Sequence, residues 1–121
     1  MSILIIDDDR RNIFALKTAL RSRGYDALGV ITAQEGLDIL EVGNGISVVL
    51  LDMMMPEFDG FQFLQHIRDS PGKDYPPVIA VTAKAMSGDR ERCLNAGADG
   101  YVSKPVDIDL LLTEIRGLVK G

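Results

Sequence analysis

The sequence predicts an α/β fold, in which a doubly wound sheet of five parallel strands carries helices on both faces in three layers. Short apolar runs alternate along the chain with longer segments in which apolar residues recur at helical spacing. The runs are almost continuously apolar, which indicates strands that are buried on both faces of a sheet. Parallel strands need crossover connections, and right-handed crossovers favour the strand order 2-1-3-4-5.

Apolar runs predict the strands, in chain order Ile3–Ile6, Tyr25–Val30, Ile46–Leu51, Pro77–Val81 and Gly100–Val102. Helical spacing predicts helices at residues 10–23 and 33–41, and three more that end near Arg68, Asn95 and Leu118. The last three are expected to follow the N-cap residues Asp59, Ser87 and Asp107. In the first helix the apolar pattern includes Phe14, and Gly24 ends the helix.

Composition limits the function classes. A length of 121 residues with 46% hydrophobic content suits one compact domain spanning residues 1–121. The net charge of −5 argues against binding to nucleic acid, which needs a basic surface. No apolar run reaches the length of about 18 residues that a membrane helix needs, so no membrane insertion is expected. Cys93 is the only cysteine and no secretory leader pattern is present, which suits the cytoplasm.

The first, third, fourth and fifth strands all lead into polar residues at their carboxyl ends. These residues are Asp7 and Asp8, Asp52, Thr82 and Lys104. In an open parallel sheet the carboxyl ends form the edge where ligands bind. We therefore expect these five side chains to belong to one site.

The residue types at this edge suit phosphoryl transfer. Crowded carboxylates repel one another unless a cation neutralises them. The cluster offers only oxygen ligands, which suits Mg²⁺ rather than zinc. A carboxylate can itself attack phosphorus to give an aspartyl phosphate, and an amine with a hydroxyl can neutralise and orient the transferred group.

Four motifs occur at these strand ends: Ile5-Ile6-Asp7-Asp8-Asp9, Asp52-Met53-Met54-Met55-Pro56 with Asp59-Gly60, Val81-Thr82-Ala83, and Tyr101-Val102-Ser103-Lys104-Pro105. With them the whole chain resembles the receiver domains of two-component response regulators, most of all those of hybrid sensor histidine kinases. The resemblance implies a flavodoxin-like (βα)5 fold and a phosphorelay switch rather than an enzyme with an external substrate. It implies either a stand-alone receiver or a cytoplasmic module of a larger, membrane-bound kinase.

The resemblance also implies an acceptor and a metal site. Asp52 would take a phosphoryl group from a histidine kinase or a histidine phosphotransfer protein. Asp7, Asp8, Asp52 and the backbone carbonyl of Met54 would hold Mg²⁺, for which Mn²⁺ can substitute. Asp9 is expected to cap the first helix rather than to act as a main ligand.

Further residues would form the switch. Thr82 would bond a phosphate oxygen, and Lys104 would pair with the phosphoryl group. Tyr101 would be an aromatic switch that turns inward when Thr82 moves, and the peptide bond before Pro105 is a candidate cis bond. The face made by the fourth helix, fifth strand and fifth helix would be the output surface and a candidate homodimer contact.

Two other functions share parts of this pattern. An aspartyl-phosphate hydrolase would use the same nucleophile and metal, but such enzymes usually carry a second acid at the position of Met54. A flavodoxin-like cofactor binder would share the fold, but its phosphate would meet an acidic crevice and no Gly/Ser/Thr-rich loop follows the first strand. His66, the only histidine, is predicted on the solvated face of the third helix with Gln62 and Gln65, which argues against a phosphohistidine role.

Overall fold

The computed structural model describes residues 1–43, 45–55, 60–70, 72, 74–83 and 88–119. Strands and helices alternate in the order β1 (Ser2–Ile6), α1 (Arg10–Ser22), β2 (Asp26–Val30), α2 (Ala33–Glu41), β3 (Ile46–Asp52), α3 (Gly60–Arg68), β4 (Val78–Thr82), α4 (Asp89–Asn95), β5 (Gly100–Ser103) and α5 (Ile108–Leu118). All strand pairs are parallel, and the sheet order is β2-β1-β3-β4-β5. The predicted fold class and strand order are confirmed.

Two apolar clusters cover the two faces of the sheet, because every central strand buries side chains on both sides. One cluster joins the sheet to α2, α3 and α4 through residues such as Leu37, Phe63 and Cys93. The other joins it to α1 and α5 through residues such as Leu20 and Leu112. The result is the predicted three-layer arrangement.

Helix starts follow local capping chemistry. The predicted N-cap Asp107 is confirmed, since its Oδ1 accepts a hydrogen bond of 2.9 Å from the backbone N–H of Asp109. Asp9 caps α1 in the same way, with Oδ1 accepting from the Arg11 N–H at 2.9 Å. The predicted cap Asp59 lies outside the described residues. The prediction of Ser87 as the cap of α4 is wrong by one residue, since Gly88, with a φ of 87° that glycine adopts readily, is the N-cap and no described side chain caps the helix.

One apolar residue of the sequence pattern does not face the core. Phe14 is 72% exposed, whereas its neighbour Ile13 is buried against the sheet. Successive helical residues point about 100° apart, and with Ile13 and Leu20 facing the sheet, Phe14 lies on the outer side of the helix. The helical spacing therefore predicted α1 correctly but included one residue that lies on its outer side.

Gly60 brings the start of α3 close to the end of β3. A Cβ at this position would lie 2.7 Å from the Cα of Met53, a distance that real Cβ atoms do not reach. The missing side chain therefore allows α3 to begin directly beside the strand that ends in Asp52. Within the described part of the chain, no helix is long and apolar enough to cross a membrane.

Candidate functional site

Register places the polar strand ends side by side. Asp52 pairs with Val81 of β4, and Thr82 pairs with Ser103 of β5. The ladder continues past the strands, since the Met53 N–H donates to the Val81 carbonyl at 3.1 Å and the Lys104 N–H donates to the Thr82 carbonyl at 2.8 Å. The edge of the sheet is therefore ordered through the backbone up to the residues that the sequence singled out.

Three carboxylates meet at this edge. Asp7 and Asp52 are buried, whereas Asp8 is exposed. One carboxylate oxygen from each of these residues lies within 4.8 Å of the others. Because the two buried groups come from different strands, the cluster is a product of the fold and not of local sequence. The predicted convergence of these acids is present in the structure.

Lys104 reaches into the acidic cluster from the β5–α5 connection. Its Nζ donates a hydrogen bond of 3.3 Å to Asp7 Oδ2 and lies 3.8 Å from Asp52 Oδ2. The lysine side chain is 22% exposed, so this contact is partly shielded from water. Among the described residues, one ammonium group thus pairs with two carboxylates of the cluster of three, and these four groups together keep an excess of negative charge.

Backbone donors orient the two buried carboxylates. Asp52 Oδ1 accepts from the Met54 N–H at 3.0 Å, and Asp7 Oδ1 accepts from the Asp9 N–H at 2.8 Å. In both cases the other oxygen lies on the Lys104 side. The donors fix one oxygen of each carboxylate, and the second oxygen remains directed into the cluster.

The surroundings of Asp52 disfavour its charge. Burial raises the pKa of the Asp52 carboxyl; the Met54 N–H and Lys104 act against this shift, while Asp7 and Asp8 add to it. An aspartate in this position is best stabilised in its charged form when a cation is added nearby.

In buffer without divalent cations, we expect stability to depend on the charge of Asp52. The folded-state pKa lies above the ordinary value of 3.8, so the folded protein binds this proton more tightly than the unfolded chain. The free energy of unfolding should therefore decrease as the pH rises from about 3.8 through the raised pKa. Asp52→Asn should flatten this part of the profile and leave the variant more stable than wild type at neutral pH.

Urea unfolding at a series of pH values, with a chelator present, measures this effect. Asp38→Asn is a matched control because Asp38 lies exposed on α2. A profile of Asp52→Asn that coincides with both wild type and the control would contradict the inferred environment.

The donor set fits a hard divalent cation. The cluster supplies carboxylate oxygens from three residues within 4.8 Å of one another, and neither sulfur nor imidazole belongs to it. Mg²⁺ prefers oxygen ligands and is usually held by one or two carboxylates together with waters and a phosphate. Asp7, Asp8 and Asp52 are therefore suitable ligands, while the ligand role of the Met54 carbonyl remains a prediction.

Thr82 and Tyr101 occupy neighbouring strands on the same side of the site as Lys104. Thr82 is buried at the carboxyl end of β4, one residue beyond the partner of Asp52. Tyr101 is half-buried on β5, and its hydroxyl donates a hydrogen bond of 3.0 Å to Asp89 Oδ2 on α4. Burial, followed by this contact, raises the pKa of Tyr101 to about 12. Their roles as switch residues remain predictions.

The predicted cis peptide bond is present between Lys104 and Pro105. His66 is exposed on α3, as predicted, and does not belong to the acidic cluster. Cys93 is buried, and burial raises the pKa of its thiol, so it does not have the environment of a reactive cysteine.

Sequence reasoning missed two residues of the site region. Asn12, in the first turn of α1, has its Nδ2 3.5 Å from Asp7 Oδ2, so a neutral side chain also faces the cluster. Asp89 is buried in the first turn of α4 and accepts from Tyr101. A polar residue in a first helical turn is commonly a solvated residue near the helix dipole, and only the packing of the helices shows otherwise.

The sequence matches the family described as response regulator receiver domain over residues 3–116. The chain therefore belongs to the response regulator receiver domain family. Among its relatives, sensor histidine kinase RcsC of Salmonella typhimurium is 42% identical over 113 residues, which are 92% of this chain and 11% of RcsC. The chain thus corresponds to a small part of that relative.

Two further comparisons involve proteins of similar length. The polar-differentiation response regulator DivK of Brucella ovis is 30% identical over 115 residues, which are 95% of this chain and 93% of DivK. The structure of the receiver domain of the Francisella response regulator 1452 superposes with a TM-score of 0.86 at 29% identity. That match covers 97% of this chain and 94% of the Francisella chain. These relatives place the chain among receivers of two-component signalling and agree with the predicted likeness to receivers of sensor kinases.

Proposed function

We propose that this chain is a Mg²⁺-dependent phosphoacceptor switch, in which Asp52 takes a phosphoryl group from a phosphohistidine donor. The observation that carries the proposal is the position of Asp52. It is buried at the end of β3, lies among two further carboxylates, and has an ammonium group 3.8 Å from its second oxygen. A nucleophilic carboxylate, a cation site and a countercharge for the transferred group therefore occupy one edge of the sheet.

Asp52, the Met54 backbone and the acidic cluster each have a separate role in the proposed phosphoryl transfer. Asp52 Oδ2 attacks phosphorus, the phosphorus–nitrogen bond of the donor breaks, and the phosphoryl group remains on Asp52. The Met54 N–H holds Oδ1 throughout, which leaves Oδ2 as the attacking atom. When bound by Asp7, Asp8 and Asp52, Mg²⁺ supplies charge neutralisation for the phosphoryl oxygens.

The proposed switch depends on new contacts that Lys104 and Thr82 would make with a phosphoryl group on Asp52. Lys104 now pairs with Asp7, and a phosphoryl group on Asp52 would offer it a stronger partner close by. Thr82 would bond a second phosphoryl oxygen and draw its loop inward, which leaves room for Tyr101 to turn. A near-complete change of state requires about 5.5 kcal/mol of preference for one arrangement, and these charged contacts supply part of it.

The partners belong to two-component signalling. A histidine kinase or a histidine phosphotransfer protein is the proposed donor, and the similarity to the sensor histidine kinase RcsC favours a donor of this kind. The proposed location is the cytoplasm, either as a separate protein or as a module of a membrane-bound kinase. The surface of α4, β5 and α5 is the proposed output and homodimer face. It carries a groove of about 270 Å³ lined in part by Tyr101, Pro105 and Leu110, and Leu110 is 63% exposed there.

Residues 1–121 are proposed to act as one receiver domain without turnover of an external substrate. A phosphatase that uses an aspartate nucleophile usually carries a second acid two residues further on, and this chain has Met54 there. The most that the site would catalyse is its own phosphorylation and dephosphorylation.

The proposal is tested by phosphotransfer from a phosphorylated histidine phosphotransfer domain in the presence of Mg²⁺. We expect a phosphoryl group on this chain, mapped to Asp52 by peptide mass spectrometry after trapping with borohydride. Transfer that needs no divalent cation, or a modified residue other than Asp52, would contradict the proposed function.

Lys104→Met should separate phosphorylation from the response. The variant keeps the aliphatic part of the side chain but loses the charge that pairs with Asp7 and faces Asp52. We expect Asp52 still to accept fluoroberyllate, a phosphoryl mimic, while the population of the active conformation falls well below that of wild type. NMR resonances of β4 and β5 with saturating mimic measure that population, and Lys17→Met on α1 is the control. A wild-type response in Lys104→Met would exclude the proposed role.

A further inference from the structure

Asp89 is a buried carboxylate outside the acidic cluster. It lies in the first turn of α4 with an exposed fraction of 6%, which is unusual for an acid that has no place among the proposed metal ligands. A buried charge needs hydrogen bonds and countercharges to be tolerated. The groups around Asp89 therefore indicate what it does.

Among the residues that the structure describes, side chains from β5 and from α4 itself contact this carboxylate. The Tyr101 hydroxyl on β5 donates to Oδ2 at 3.0 Å, and the Arg92 guanidinium on α4 lies 3.9 Å from Oδ1. Arg92 is 64% exposed, so its contribution is screened by water, whereas the contact with Tyr101 is partly buried. The contact of Asp89 with the Tyr101 hydroxyl is thus shorter and better shielded from water than its contact with Arg92.

The hydrogen bond joins α4 to the proposed aromatic switch. The Tyr101 ring packs against the apolar cluster under α2, α3 and α4, while its hydroxyl is directed to Asp89. The proposed switch requires the Tyr101 ring to leave the position seen here, and this movement would break the hydrogen bond. Asp89 would then lose a donor while it remains buried, and such a loss is costly for a carboxylate.

We propose that Asp89 is a positioning residue that holds Tyr101 in the arrangement seen here and thereby sets the population of the active state before phosphorylation. The inference rests on the proposed switch role of Tyr101. It adds that Asp89 is the acceptor whose hydrogen bond must break when Tyr101 moves. Asp89 lies on α4, which is one of the elements of the proposed output face. The movement of Tyr101 would therefore change a contact of that face directly.

The raised pKa of Tyr101, with Asp89 as its second cause after burial, agrees with a short contact between the two groups. Charge-assisted hydrogen bonds are stronger than neutral ones, so the charge of Asp89 is a meaningful part of the effect. A neutral acceptor of the same shape should therefore hold Tyr101 less firmly.

The test uses Asp89→Ala, which removes the acceptor, and Asp89→Asn, which keeps an oxygen acceptor without the charge. The control is Glu91→Ala. Glu91 is an exposed acid in the same first turn of α4, so this substitution removes an equal charge from the helix. Each protein is titrated with fluoroberyllate in the presence of Mg²⁺. The phenol environment is followed by NMR of tyrosine labelled with ¹³C at Cζ, with the Tyr101 signal assigned from Tyr101→Phe.

If Asp89 restrains Tyr101, its removal raises the fraction of molecules that are ready for the mimic. We expect Asp89→Ala to bind fluoroberyllate about tenfold more tightly than wild type, which is the effect of one charge-assisted hydrogen bond. Asp89→Asn should show a smaller change in the same direction, and Glu91→Ala should behave as wild type. The Tyr101 Cζ signal should shift in the two Asp89 variants before any mimic is added.

A double-mutant cycle separates positioning from a general effect on the fold. In the Tyr101→Phe background the hydroxyl is absent, so Asp89→Ala should change the affinity no further. An equal change in both backgrounds, or an unchanged affinity in both Asp89 variants, would overturn the inference. If Asp89→Ala proves too unstable to study, Asp89→Asn supports the same comparison. Wild type that takes no mimic at Asp52 would instead refute the proposed function.

Discussion

Asp52→Asn is expected to abolish phosphorylation of this chain. The amide has the size of the carboxylate and can accept the Met54 N–H, but it is a far weaker nucleophile towards phosphorus. Incubation with acetyl phosphate and Mg²⁺ should add one phosphoryl group to wild type and none to the variant, as measured by intact-mass spectrometry. This complete loss is the largest effect that the proposed chemistry predicts.

Two comparisons make the result specific. Asp69→Asn removes an exposed aspartate after the end of α3 and should leave phosphorylation at the wild-type level. Asp52→Asn should be folded and at least as stable as wild type at neutral pH, since it removes a charge that is disfavoured first by burial and then by repulsion from Asp7 and Asp8. Equal phosphorylation of Asp52→Asn and wild type would remove Asp52 from the acceptor role.

Asp8→Asn should reduce the stabilisation by Mg²⁺ to about half of the wild-type value or less. For a ligand that binds only the folded state, a concentration of 100 times Kd adds about 2.7 kcal/mol to the free energy of unfolding. Asp8 contributes one of the three clustered carboxylates, and its exposure leaves it open to an ion from solvent. We expect a decrease in Mg²⁺ affinity of at least about tenfold, because even indirect contacts to a metal have effects of that size.

The control for this variant is Asp9→Asn. Asp9 is the next residue along the chain, but its side chain caps α1, and asparagine caps a helix about as well as aspartate does. Urea unfolding with and without Mg²⁺ at 100 times the wild-type Kd should show equal stabilisation of wild type and Asp9→Asn, and about half of it or less for Asp8→Asn. Equal stabilisation of all three proteins would exclude Asp8 from the metal site.

Much of this site could be predicted because strand ends are visible in the sequence. An apolar run that stops at a carboxylate or a lysine places that residue at the edge of a parallel sheet, whatever the details of packing. Asp7, Asp52 and Lys104 were found in this way, and the structure brings their side chains together. Their roles were inferred from the resemblance to the receiver family and stay predictions.

Asn12 and Asp89 could not be found in this way. Each lies in the first turn of a helix, where a polar residue is ordinary, and each matters only because of what its helix is packed against. The acceptor role of Asp89 depends on the position of α4 relative to Tyr101, which no pattern within α4 specifies. Phe14 shows the opposite error, since an apolar residue at near-helical spacing turned out to lie on the outer side of α1.

The backbone hydrogen bond between Lys104 and Thr82 has a consequence for how the two residues respond to mutation. The Lys104 N–H donates to the Thr82 carbonyl at 2.8 Å, so the main chains that carry the ammonium and the hydroxyl are tied to each other. A displacement of one residue pulls on the other. The energetic effects of altering both should consequently be non-additive, and the interaction energy in a double-mutant cycle would measure how strongly the two residues are coupled.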